Sequence, residues 1–231
     1  YVPIGKTGDG NQFYGSFDGN GKVISNLYVK TSANIMGLFG VVGAQDGSTS
    51  DVCRIRDLSI ENASVEGGDY VGGLTARSYY SVIEGCDVTG KVISNRSSGY
   101  VGGLVGYSNG DSVLDCNTSV SVTSSGDNAG GLIGCSSGSY VANCDSISIV
   151  TGGANCGGLI GYNAPGTVEY SNAESVVSGG DNIGGLIGYN LDDASHYLMG
   201  CASDSAVMGT SYVGGLCGYN GCEVFDSAAY A

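Results

Sequence analysis

Asn182-Ile-Gly-Gly-Leu-Ile-Gly-Tyr-Asn190 is the stretch on which the fold turns. The same block recurs on either side of it. Copies begin at Tyr70 (Tyr-Val-Gly-Gly-Leu-Thr), Tyr100 (Tyr-Val-Gly-Gly-Leu-Val-Gly-Tyr), Asn128 (Asn-Ala-Gly-Gly-Leu-Ile-Gly-Cys), Asn155 (Asn-Cys-Gly-Gly-Leu-Ile-Gly-Tyr) and Tyr212 (Tyr-Val-Gly-Gly-Leu-Cys-Gly-Tyr). A degenerate copy begins at Asn34. The first glycine of each pair falls at 72, 102, 130, 157, 184 and 214. Between the blocks an apolar residue is followed three positions later by Cys or a substitute: Ile24/Leu27, Ile55/Leu58, Ile83/Cys86, Val113/Cys116, Val141/Cys144, Val168/Ser171, Leu198/Cys201 and Val224/Ser227. A third column of β-branched residues runs Val65, Val92, Val122, Ile149, Val176 and Val207.

A unit of about 28 residues with short β-branched runs and no helical periodicity reads as one coil of a β-solenoid. Three strands plus corners fill that length. The predicted fold is therefore all-β: a right-handed parallel β-helix of about 7–8 rungs of roughly 27–31 residues, its hand following the crossover preference of parallel strands. Residues 1–35 are expected to form an N-terminal lead-in and first rung. Residues 36–231 would form one continuous repeat domain whose last rung is incomplete. Repeating helical hairpins are opposed by the Gly-Gly pair inside each apolar block, since an interior glycine costs a helix about 1 kcal/mol relative to Ala.

Composition agrees. Of 231 residues 43 are Gly, yet 42% are hydrophobic. There is no strict Gly-X-Y period, which excludes collagen, and no apolar run long enough to cross a bilayer. The net charge is −14. Residues 1–96 hold all eight Lys and Arg against ten acidic residues; residues 97–231 hold twelve acidic residues and no Lys or Arg. Such a stretch cannot neutralise phosphates or anionic lipid, so nucleic acid and direct membrane insertion are poor readings. Aspartates in two repeat columns never occupy neighbouring rungs, as expected if like charges on adjacent strands repel.

The nine cysteines lack any CxxC pair. Most alternate in the repeat with Val, Ile, Leu or Ser, and are expected to be free buried thiols; Cys53, Cys135 and the local pair Cys217/Cys222 stand apart. In the strand Gly-Leu-Ile-Gly-Tyr, period-2 alternation with Leu inward would turn Ile outward together with Tyr107, Tyr162, Tyr189 and Tyr219. That column is the candidate ligand strip, for sugar or protein. Alternatively a kink at Gly-Gly sends both Leu and Ile to the core and leaves the tyrosines to cover a corner. His196, in a corner expansion near Asp192 and Asp193, has no nucleophile pattern beside it. Asp18-Gly-Asn-Gly is a turn with weak calcium character. No HExxH, GxSxG or P-loop occurs, and no catalytic, cofactor or metal residue is assigned.

The recurring Gly-Gly-Leu-Ile-Gly-Tyr-Asn block resembles the bacterial GLUG-motif repeat family. The lead-in Phe13-Tyr-Gly-Ser-Phe-Asp-Gly-Asn-Gly-Lys-Val-Ile-Ser-Asn-Leu-Tyr28 looks like the segment that commonly precedes such repeats. The resemblance implies an exported, surface-associated β-helix of adhesin-like proteins, also found beside the catalytic regions of IgA-cleaving metallopeptidases, and it brings no catalytic residues. The expected role is a non-enzymatic, extracellular adhesin, stalk or scaffold within a longer chain. Its partner would be a protein or glycan of a host or neighbouring cell surface. The alternative is a carbohydrate-active β-helix enzyme, a polysaccharide lyase or hydrolase. Such sites need clustered carboxylates or basic groups, whereas the carboxylates here are spread along the repeat.

Overall fold

The computed structural model describes residues 2–6, 11–47, 52–191 and 195–230. Every described strand pairing is parallel, and the strands stack as three faces of a solenoid. The first face, seven strands deep, runs from Ile35–Met36 to Ser211–Gly214 and carries the Gly-Gly pairs. The second, also seven deep, runs from Phe39–Val42 to Cys217–Asn220 and carries the Ile-Gly-Tyr segments. The third is wider. One of its inward columns reads Phe17, Ile55, Ile83, Val113, Val141, Val168, Leu198 and Val224. Among the described residues there is no helix.

One corner explains the repeated block. From Leu104 to Leu216 each Leu carbonyl of the block accepts two N–H groups from the preceding rung. Leu159, for example, accepts from Leu132 at 2.9 Å and Ile133 at 3.0 Å; Leu132, Leu186 and Leu216 repeat the arrangement. The chain kinks there, so Leu and the next residue both enter the core. Leu132, Ile133, Leu159 and Ile160 are fully buried. Of the two orientations open in the sequence, the one with Leu and Ile both inside is correct.

The glycine pair is required by contact, not by backbone hand. Neither Gly130 nor Gly131 has a positive φ. A Cβ on Gly130 would overlap the carbonyl of Ile133, and one on Gly131 would overlap the carbonyl of Gly158 and the Ser146 hydroxyl. Left-handed corners fall largely to other residues: Asp57, Asp115, Asn143, Tyr170 and Asp226 share one such column with Gly85 and Gly200. The Asx side chains tolerate this region better than most.

Two expected registers need correction. Phe17, not Ile24, lies opposite Ile55, and Ile24 lies opposite Ile60. The turn Gly19-Asn20-Gly21 inserts extra chain between Asp18 and Lys22 and shifts the first rung. In the third column Val150 and Val177 point inward, whereas Ile149 and Val176 are 57% and 45% exposed. Their neighbours decide this parity: Ser146 and Ser148 are buried and hydrogen-bonded to each other at 2.9 Å, in the room left by Gly131.

All nine cysteines are free; seven are buried and Cys217 and Cys222 half-buried. The Cys column does more than fill space. Cys116 Sγ donates to the Leu114 carbonyl at 3.1 Å and accepts the Cys86 N–H at 3.4 Å. Ser171 makes the matching pair, donating to the Glu169 carbonyl at 2.8 Å and accepting from the Cys144 N–H at 3.1 Å. At these corners, and at Ser227, a small side chain carrying both donor and acceptor ties the left-handed turn to the adjacent rung.

Two outcomes follow, both read from urea unfolding midpoints. Gly131→Ala is expected to cost about 3 kcal/mol through overlap with backbone. Gly180→Ala, where the nearest atom to a Cβ lies at 3.5 Å, should be close to neutral. Cys116→Ser should likewise remain near wild type, whereas Cys116→Val, which orphans the Cys86 N–H, should lose about 1–3 kcal/mol.

Candidate functional site

The second face places Arg77, Tyr107, Cys135, Tyr162, Tyr189 and Tyr219 in one outward column. Tyr107, Tyr162 and Tyr189 are half-buried and Tyr219 is 36% exposed. The column is not uniform, because Cys135 interrupts it. Beyond the break Tyr162, Tyr189 and Tyr219 stack, with ring centroids 5.2 and 4.6 Å apart and ring planes within 6° and 9° of parallel. Tyr189 is thus covered on both faces and offers its edge and hydroxyl outward.

Before the break the arrangement differs. Tyr107 meets Tyr70 and Tyr100 edge-on at 6.1 and 5.7 Å. The Arg77 guanidinium lies 4.6 Å from the Tyr70 ring centroid, 5.1 Å from Tyr79 and 5.9 Å from Tyr107. Burial pushes the Tyr79 phenol up to about 12, against the opposing pull of Arg77. Tyr70, Tyr100 and Arg77 were not singled out from the sequence. The signal was there, since Tyr70 and Tyr100 each open a repeat block.

Beside the stacked tyrosines runs an amide ladder on the first face. Asn155 donates to Asn128 and Asn182 to Asn155, both at 2.9 Å. All three residues are left-handed. A second amide ladder lies on the inner side of the tyrosine strands, where Asn163 donates to Asn190 and Asn190 to Asn220 at 2.8 Å each. Stacked rungs place identical amides one strand spacing apart, the distance at which donor meets acceptor.

Asp111, at the corner that follows the Tyr107 strand, is 2% exposed. It accepts the Ser81 N–H at 2.9 Å and the Ser108 hydroxyl at 2.6 Å, and no ion pair involves it among the described residues. Burial pushes its carboxyl up to about 7, a rise that the hydrogen bonds only partly oppose. The aspartates that alternate along the repeat are bonded to the non-acidic residue of the adjacent rung: Asp127 accepts from the Ala154 N–H at 2.8 Å, and Asp181 accepts from the Ser211 hydroxyl.

The remaining sequence candidates do not converge. The Asp18 carboxylate is taken up by the Asn20 N–H and Arg56, both at 2.7 Å, and these hold its carboxyl below the usual range. His196 hydrogen-bonds Ser195 at 2.9 Å; Asp192 and Asp193 lie outside the described residues. No group of three or more His, Cys, Asp or Glu among the described residues could hold a metal. No helix among them is long and apolar enough to cross a membrane.

Raising the Asp111 pKa above its unfolded value of about 3.9 makes the folded chain hold a proton that the unfolded chain releases. Its contribution to stability is therefore full below about pH 4, falls as pH rises to about 7, and is constant beyond. The wild type minus Asp111→Asn difference in unfolding free energy should show this downward slope between pH 4 and 7; a flat difference would refute it.

Comparison with known proteins bears on the fold and the repeat. Halomucin from Haloquadratum walsbyi is 37% identical over 116 residues, which cover 49% of this chain and 1% of that protein. A crystal structure described as "a putative immunoglobulin A1 protease from Bacteroides ovatus" superposes with a TM-score of 0.69 at 20% identity, covering 93% of this chain and 72% of that one. At that identity it speaks for the fold alone. The family model described as "The GLUG motif" matches residues 67–93, from the Gly72-Gly73 corner through most of the following wide-face strand, so this β-solenoid carries a GLUG motif as part of its repeat.

Proposed function

We propose that the chain is a non-enzymatic module of a cell-surface or secreted protein, serving as adhesin, stalk or interaction scaffold. The observation that carries this reading is the pair of outward ladders, Tyr162–Tyr189–Tyr219 and Asn128–Asn155–Asn182, repeated at rung spacing outside one continuous core. A repeated surface suits a repeated ligand or a broad partner better than a single reaction centre. The GLUG match and a relative named as a mucin are in keeping with an extracellular setting. The partner is a protein or glycan of a host or neighbouring cell. Because the tyrosine faces are spent on one another, recognition would use hydroxyls and ring edges, and a polar ligand fits better than one stacked flat on a ring.

A glycan array and a panel of immobilised cell-surface proteins, probed with wild type and Tyr189→Ala/Tyr219→Ala, test this. Retention that falls at least about tenfold in the variant is expected, with no new reducing ends from any bound polysaccharide. Release of product would overturn the non-enzymatic reading.

A further inference from the structure

The third face repeats one spatial relationship with two different occupants. Arg54 lies opposite Val82, two residues before Glu84, and its guanidinium pairs with Glu84 at 3.0 Å. Three rungs on, Tyr140 lies opposite Thr167, two residues before Glu169. Tyr140 therefore stands to Glu169 as Arg54 stands to Glu84. The tyrosine donates to Glu169 Oε2 at 2.7 Å but brings no charge. From the other side Tyr197 donates to Oε1 at 2.6 Å. Glu169 is thus braced through both oxygens, and each oxygen keeps acceptor capacity for a further donor.

The surroundings favour a cation. The chain has no Lys or Arg after residue 96. Apolar groups line the approach: Met199 is the neighbour of Glu169 on the next rung, and one rung further Phe225 meets Tyr197 edge-on at 6.1 Å. Tyr140 and Phe225 are 39% and 46% exposed, so the site faces solvent. Hydrogen bonding to Glu169 pushes the Tyr140 phenol up to about 12, so it remains a donor.

We propose that Glu169, held between Tyr140 and Tyr197, binds the guanidinium of an arginine side chain presented by a partner protein. The partner supplies from outside the cation that Arg54 supplies to Glu84 from within. Guanidinium is favoured over ammonium because its planar fork can address both oxygens and its faces tolerate aromatic neighbours. The site lies on a different face from the stacked tyrosines and does not rest on the reading given to them.

The test is a titration of the whole chain with acetyl-Ser-Arg-Ser-amide, followed by the aromatic NMR signals of Tyr140 and Tyr197. Saturable shifts are expected. Glu169→Gln should weaken binding at least about tenfold, while Asp204→Asn, an equal charge change on an exposed residue elsewhere on the face, should leave it within about twofold. Tyr140→Arg should rebuild the Arg54–Glu84 pair in cis, keep the wild-type circular dichroism and abolish peptide binding. The lysine analogue should bind more weakly. Absence of saturable shifts, equal weakening by Glu169→Gln and Asp204→Asn, or undiminished binding to folded Tyr140→Arg would each overturn the proposal.

Discussion

Parallel stacking in register is the constraint from which the rest of the molecule follows. Each residue lies over its counterpart one rung away, so a side chain's nearest neighbours are members of its own column. A column therefore accepts only residues that tolerate copies of themselves. Buried Val, Ile and Leu do so by packing; Asn does so by amide-to-amide bonding, and Tyr by stacking. Aspartate does so only when the adjacent rung offers a donor, as Ala154 and Ser211 do for Asp127 and Asp181. In residues 97–231 Asp111, Asp127, Asp145, Glu169 and Asp181 each accept from such a local donor.

Much of this order was legible because repetition averages over the ambiguity of any one rung. Six Gly-Gly-Leu copies fixed the period, and the period fixed the solenoid. What escaped was parity and local insertion. In Ser146-Ile-Ser-Ile-Val150 the rule that apolar residues point inward favours Ile149, yet the small polar serines occupy the inside against Gly131, which turns Val150 inward and Ile149 out. In the lead-in, the turn at Gly19–Gly21 displaced the register by more than the repeat period could reveal.

The candidate strip was legible as a column but not as a set of contacts. Periodicity put Tyr107, Tyr162, Tyr189 and Tyr219 on one line and could not show that Cys135 divides it, with Arg77 gathering Tyr70, Tyr79 and Tyr107 on one side and three rings stacking on the other. In the sequence the exchange of Cys with Val, Ile, Leu and Ser suggests apolar equivalence. The shared chemistry of Cys and Ser is a donor and an acceptor on a short side chain, visible only once Cys116 and Ser171 are seen to bond the same backbone groups.

The doubly accepting Leu carbonyls also bear on mechanics. Their bonds, like the sheet ladders, link one rung to the next along the direction of stacking. Tension applied along that direction would load successive interfaces in series, and the rod would yield at its weakest rung by peeling rather than by shearing a whole sheet. A load applied across it would be shared by many ladders at once. As a tether, such a module would be compliant lengthwise and stiff sideways, a bias set by the direction in which its backbone amides point.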